Sequence, residues 1–156
     1  MNKPSHERQK ILVVDDEKNY RIVFARLFEG VGYQVVLADS AESAMVLLRN
    51  EKVSLLLTDL QMYGMNGLDF CQRVRSEIGD IPTIVFSADA SRLDYDSMSN
   101  AGILACLDKP FNNRVILTMV DDILLNRPPI PYPSWPANRE RSLVNDDVFE
   151  KEPELP

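Results

Sequence analysis

Lys10-Ile11-Leu12-Val13-Val14-Asp15-Asp16-Glu17 is the stretch that decides how the rest of the chain is read. Its apolar, β-branched run predicts a short strand buried on both faces, because a half-exposed strand would alternate apolar with polar residues. The run stops at three acidic residues, which puts carboxylates at the strand's carboxyl end. Directly after it, Tyr20, Val23, Phe24, Leu27, Phe28 and Val31 recur at spacings of three and four, the pattern of one helix face. Gly30 and Gly32 are placed to stop that helix.

The alternation continues outward. Tyr33 to Ala38 reads as a second strand, and Ser40 caps a helix to about Asn50, with Ala44, Leu47 and Leu48 inward. A third strand, Val53 to Thr58, ends at Asp59, and a loop from Leu60 to Asn66 leads to a helix through about Glu77. Ile81 to Phe86 is a fourth strand ending at Ser87, followed by a polar helix from about Ser91 to Asn100. Ile103 to Leu107 is a fifth strand, ending at Asp108-Lys109-Pro110. A last helix from Asn112 to about Asn126 turns Val115, Ile116, Met119, Val120 and Ile123 toward the core. Five strand–helix units in strict alternation imply an α/β fold: a doubly wound (βα)5 three-layer sandwich around a five-stranded parallel sheet with right-handed crossovers.

Residues 10–126 are therefore one folded domain, preceded by a polar, flexible arm at residues 1–9. From residue 127 to 156 the composition shifts, with seven of the ten prolines in that stretch. This tail reads as a solvated linker or a partner-binding segment, the latter because Trp135, Leu143, Val144 and Phe149 are costly to leave in water. A length of 156 residues suits one domain with a real core. The net charge of −7 argues against direct nucleic-acid binding, which needs a basic surface. Cys71 and Cys106 have no CxxC or Cys/His neighbours, so neither a zinc site nor a disulfide framework is expected. No signal-peptide stretch or membrane-spanning run is present, and a cytoplasmic protein with no membrane partner is the expectation.

In open parallel sheets, ligand sites form at the carboxyl ends of strands, near the point where strand order reverses. Here four of the five strand ends carry chemistry: Asp15-Asp16, Asp59, Ser87 and Lys109. Three gathered carboxylates repel one another and are expensive to desolvate, unless a hard dication sits among them. An incomplete, oxygen-only donor set selects Mg2+ or Mn2+, which also offsets the charge of an incoming phosphoryl group. Lys109 offers a point charge to a phosphoryl oxygen, and the Ser87 hydroxyl a hydrogen bond. The Asp59 carboxylate is a nucleophile able to form an acyl phosphate. Blander readings exist for each residue: Asp15 and Asp16 as helix caps, Asp59 as a turn residue, Lys109 as a solvated lysine. Coincidence of all four at successive strand ends is the weaker explanation.

Those residues resemble the response-regulator receiver family of two-component signalling. The resemblance rests on Ile11 to Glu17, Leu57-Thr58-Asp59-Leu60-Gln61-Met62 with Gly64-Met65-Asn66-Gly67, Phe86-Ser87-Ala88, and Leu107-Asp108-Lys109-Pro110-Phe111. It covers roughly Lys10 to Asn126 and implies the CheY-like, flavodoxin-like strand order 2-1-3-4-5. It also implies that Asp59 accepts phosphoryl from a phosphohistidine on a sensor histidine kinase or phosphotransfer protein. Asp16, Asp59 and the backbone carbonyl of Gln61 would ligate Mg2+, with Asp15 reaching it mainly through water. Ser87 and Lys109 would hold phosphoryl oxygens, and the Lys109-Pro110 bond is expected to be cis. Such a domain promotes its own phosphoryl transfer and dephosphorylation without being a conventional enzyme. It acts on a downstream protein target or an output domain, and none is recognisable after residue 126. Family members often pair as homodimers through the fourth helix, fifth strand and fifth helix, a mode for which no distinctive charge pattern appears here.

Two departures from the family pattern affect the site. Tyr63 stands where Pro is common, which predicts a less rigid loop with an aromatic ring overhanging the pocket. Cys106 stands where Tyr or Phe is usual, and a small thiol cannot reproduce an aromatic read-out. Gln61 and Asp89, each two residues beyond a site residue, are candidates for setting the lifetime of the acyl phosphate. The competing functions are weaker. An aspartate-nucleophile phosphatase would need a second Asp where Gln61 stands, and a flavin carrier would not tolerate Asp15-Asp16-Glu17 in its phosphate loop. A receiver-like interaction module that no longer switches by phosphorylation is the serious alternative, and Cys106 is what motivates it.

Overall fold

A computed structural model of the chain describes residues 9–88 and 94–125. The strands are β1 (Lys10–Val14), β2 (Gln34–Ala38), β3 (Leu55–Asp59), β4 (Thr83–Ser87) and β5 (Ile103–Asp108). Between and after them run α1 (Lys18–Glu29), α2 (Ala41–Asn50), α3 (Gly67–Glu77), α4 (Tyr95–Asn100) and α5 (Asn113–Leu124). The sheet is parallel throughout, in the order β2-β1-β3-β4-β5, as expected. Most of the expected arm (residues 1–8), the tail at 127–156 with its four apolar residues, Asp89, and the expected helix start at Ser91 lie outside the described residues.

The run that opens the domain is buried on both faces because alternate residues enter different layers. Ile11 and Val13 pack with Phe24 and Phe28 of α1 and with Ile116, Met119 and Val120 of α5. Leu12 and Val14 pack with Ala44, Met45 and Leu48 of α2 and with Phe70 and Val74 of α3. A third cluster joins α3, β4, α4 and β5 through Cys71, Val85, Met98, Ile103 and Cys106. Each fully buried Leu, Val or Phe contributes about 1.5–3 kcal/mol, so the helices are held mainly by these stripes. No described helix is long and apolar enough to cross a membrane.

Element ends differ from expectation for local reasons. β4 starts at Thr83 because Pro82 has no N–H to donate to the ladder, although its carbonyl still accepts from Leu56. α4 starts at Tyr95, where the Asp94 carboxylate accepts from the Ser97 N–H and caps the first turn. Val31 is exposed because α1 has already ended at Glu29, and Val23 is exposed because the buried stripe of α1 narrows to Phe24 and Phe28. α2 opens with a reciprocal pair of bonds between Ser40 and Ser43, a capping box.

Candidate functional site

The switch point of the sheet lies between β1 and β3, where the chain, having gone one way to β2, turns back the other way. Val14 is paired with Thr58, so the next residues, Asp15 and Asp59, leave neighbouring strands side by side. Asp15 and Asp59 are buried and Asp16 is exposed. One oxygen from each of the three lies within 4.8 Å of the others. On the other side of β3, Ser87 is paired with Asp108, and the Lys109 N–H donates to the Ser87 carbonyl at 2.8 Å. That bond carries Lys109 over the strand ends. Its Nζ lies 3.2 Å from Asp15 Oδ2 and 3.2 Å from Asp59 Oδ2. The Lys109-Pro110 bond is cis.

The backbone holds the carboxylates in place. The Glu17 N–H donates to Asp15 Oδ1 at 2.9 Å, and the Arg21 guanidinium donates to the Asp15 carbonyl at 2.7 Å. The Gln61 N–H donates to Asp59 Oδ1 at 3.0 Å, and the Tyr63 N–H reaches Asp16 Oδ2 at 3.4 Å. After Asp59 the chain folds back on itself: Gln61 bridges to Asn66, and the Gly67 N–H donates to the Leu60 carbonyl at 2.9 Å. A Cβ on Gly67 would stand 2.5 Å from the Asp59 carbonyl oxygen, so this return is close enough to demand glycine.

Burial raises the Asp15 carboxyl to about 6. The Glu17 N–H and the Lys109 charge oppose that rise, and the Asp59 charge adds to it. Burial alone would lower the Lys109 ammonium, but Asp59 and Asp15 together outweigh it and hold it above the usual lysine range. Three carboxylates against one ammonium leave the site short of positive charge. An all-oxygen donor set with that deficit fits a hard dication such as Mg2+. Glu17, Tyr20, Asp59, Gln61, Ala88, Lys109 and Pro110 line a cleft of about 310 Å3 open to solvent above Asp59.

The structure thus brings together Asp15, Asp16, Asp59, Gln61, Ser87 and Lys109 at one end of the sheet. It does not bring the Tyr63 ring over the cleft. That ring is 93% exposed, and Gly64, at φ 88°, turns the chain immediately after it. Cys106 points to the other layer from Ala105 and Leu107 and packs with Met98 and Val85. Burial, aided by the Asp108 charge, pushes its thiol up to about 12, which leaves it inert. Sequence reasoning missed the site roles of Tyr20 and Arg21, and quoted Gly67 only as part of a motif. Tyr20 was counted as one more ring on the core stripe of α1, whereas the Lys109 Nζ stands 3.8 Å from its ring centroid.

A doubly wound sheet of this order, with an acidic cluster and a lysine at its switch point, defines a CheY-like receiver fold. The chain belongs to the response regulator receiver domain family, whose model matches residues 11–121. It is similar to a receiver domain protein (CheY-like) from Methanospirillum hungatei, with a TM-score of 0.71 and 26% identity over 76% of this chain and 95% of that one. It is also similar to the response regulator TrrA from Thermotoga maritima, determined in complex with Mg2+ and BeF, with a TM-score of 0.68 and 26% identity over 74% and 99% of the two chains. Among curated proteins it is 30% identical to a probable transcriptional regulator, ycf27, of Porphyra purpurea over 76% of this chain and 49% of that protein. The chain spans half or less of the curated relatives it matches.

Proposed function

We propose that the domain is a phosphorylation-dependent switch in which Asp59 accepts a phosphoryl group from a phosphohistidine on a sensor histidine kinase or phosphotransfer protein. An Asp59 carboxylate oxygen attacks phosphorus, the P–N bond to the donor imidazole breaks as the P–O bond forms, and the imidazole leaves with the bond's electron pair and takes up a proton. The observation that carries this reading is Lys109 Nζ at 3.2 Å from both Asp59 and Asp15, on the wall of a cleft into which Asp59 opens. Lys109 holds a phosphoryl oxygen there as a point charge, and Ser87 supplies a hydroxyl donor from the next strand end. Asp16, Asp59 and the Gln61 carbonyl would hold Mg2+, or Mn2+ in its place, with Asp15 acting mainly through water. The ion supplies charge neutralisation and orientation of phosphoryl oxygens.

In this reading the domain signals through protein contacts, to a separate target or to an output domain, and not by touching nucleic acid. It catalyses its own modification and demodification and turns over no other substrate. The cytoplasmic location expected from the sequence goes with it.

The test is intact mass after incubation with acetyl phosphate and Mg2+, with Asp59→Asn alongside. Wild type should gain about 80 Da, the mass of one phosphoryl group as an acyl phosphate. The gain should vanish with prior EDTA and in the variant. Absence of label at short sampling times, with acetyl phosphate and with a histidine-phosphorylated donor alike, would give the site to the interaction-module reading.

A further inference from the structure

We propose that Tyr20 is a positioning residue for Lys109, its ring forming the seat on which the ammonium rests above the acceptor carboxylate. This rests on the phosphoryl-acceptor reading of Asp59. The Lys109 Nζ lies 3.8 Å from the Tyr20 ring centroid and 4.9 Å from that of Phe86, both inside the range in which a cation is drawn to an aromatic face. The Tyr20 ring also lines the acceptor cleft, so it is not simply a core ring with an ammonium passing nearby.

The seat is itself braced. The Tyr20 centroid lies 6.4 Å from Phe24 and 6.4 Å from Phe111. Phe24 in turn stacks on Phe111 at 5.0 Å and tilts against Phe86 at 5.0 Å. Helix α1, strand β4 and the residue after Pro110 therefore share one aromatic block, with Lys109 across its top. The contacts of Lys109 with Asp15 and Asp59 each use a carboxylate oxygen of the acidic cluster. A metal ion or a phosphoryl group held at the acidic cluster would draw on the same carboxylates. The ring contact uses neither. It keeps the ammonium over the cleft while the charge on Asp59 changes, whereas carboxylates alone would let it move with them.

The test uses the full chain with Tyr20→Leu, which keeps apolar bulk and loses the aromatic face, and Tyr20→Phe, which keeps the face and loses the hydroxyl. Tyr20→Met replaces the leucine variant should that one fail to fold. NMR of the Lys109 side-chain methylene next to Nζ, assigned by its disappearance in Lys109→Met, is recorded without Mg2+ or phosphodonor. The protons should be shifted upfield by ring current in wild type and Tyr20→Phe, and should lose the larger part of that shift in Tyr20→Leu, where only the more distant Phe86 ring remains. In the second measurement, acetyl phosphate labelling should slow roughly five- to tenfold in Tyr20→Leu and recover in Tyr20→Phe. An unshifted Lys109 methylene in wild type overturns the seat. A Tyr20→Leu protein that labels at the wild-type rate overturns its positioning role. If wild type takes no label at all, the acceptor reading has failed, and the NMR result alone still decides whether the ring seats the ammonium.

Discussion

Replacing Lys109 with Met tests the electrostatics of the site most directly, because Met keeps a long unbranched stem and removes only the ammonium. Each contact of Nζ with Asp15 and Asp59 is 3.2 Å long, and the lysine side chain is 9% exposed. At an effective dielectric of about 20, one such pair has a Coulomb energy of about 5 kcal/mol. Desolvation of the ammonium cancels much of the pair sum, and removing one partner of a buried ion pair typically costs about 3–5 kcal/mol. The open cleft puts Lys109→Met at the low end, about 3 kcal/mol.

The loss should depend on pH with a definite sign. Asp15 is raised to about 6 with Lys109 present, and higher without it, since Lys109 is one of the groups lowering it. A carboxyl raised in the folded state favours folding as pH falls through its folded value, because the native protein then holds the extra proton. The penalty should be full at about pH 8 and shrink toward about pH 5, where Asp15 is neutral and no longer repels Asp59. Saturating Mg2+ should also recover part of it by supplying the missing positive charge. Urea denaturation at both pH values, with and without Mg2+, measures all four states. A loss that is equal at both and indifferent to Mg2+ would refute the reasoning, and would assign the Lys109 contribution to packing of its stem.

Other expectations follow from the same geometry. Gly67→Ala should cost about 1–3 kcal/mol in thermal or urea unfolding and slow labelling at Asp59, since its Cβ meets fixed backbone at 2.5 Å. An unaltered melting curve would show that the loop relaxes freely. Mg2+ affinity, followed by calorimetry, should fall as pH drops through about 6, by up to about tenfold per pH unit as Asp15 takes up a proton. A flat profile between about pH 5 and 8 would remove Asp15 from the metal's charge environment. Gln61→Ala should alter the decay rate of the phosphorylated protein, because Gln61 lines the cleft where the attacking water must stand. Decay indistinguishable from wild type would leave Gln61 with only its backbone role.

Most of the site was legible because it is built at strand ends, and strand ends are where an apolar run stops. Asp15 and Ser87 follow such a run directly and Asp59 follows one after Thr58, and parallel pairing then leaves little freedom in where they meet. Tyr20 was not legible in its second role. A ring at the start of an amphipathic helix gives the same periodic signal whether it fills the core or carries a cation at its edge. Tyr63 failed for a different reason: the direction of its side chain depends on the turn at Gly64, and no hydrophobic period runs through that loop. The described start of α4 is set by the Asp94 cap rather than by any apolar stripe.

The pairing of Val14 with Thr58 has one more consequence. Side chains alternate faces along a strand, so a slip of one residue between β1 and β3 would set Thr58 or Leu60 beside Asp15 and turn Asp59 away from it. Asp59 and Lys109, placed by β3, β4 and β5, would then no longer converge with Asp15 on one cleft. A misaligned sheet would therefore lack the assembled acidic cluster on which the proposed switch depends. Correct strand alignment works as a password that the chain must give before it can carry a message.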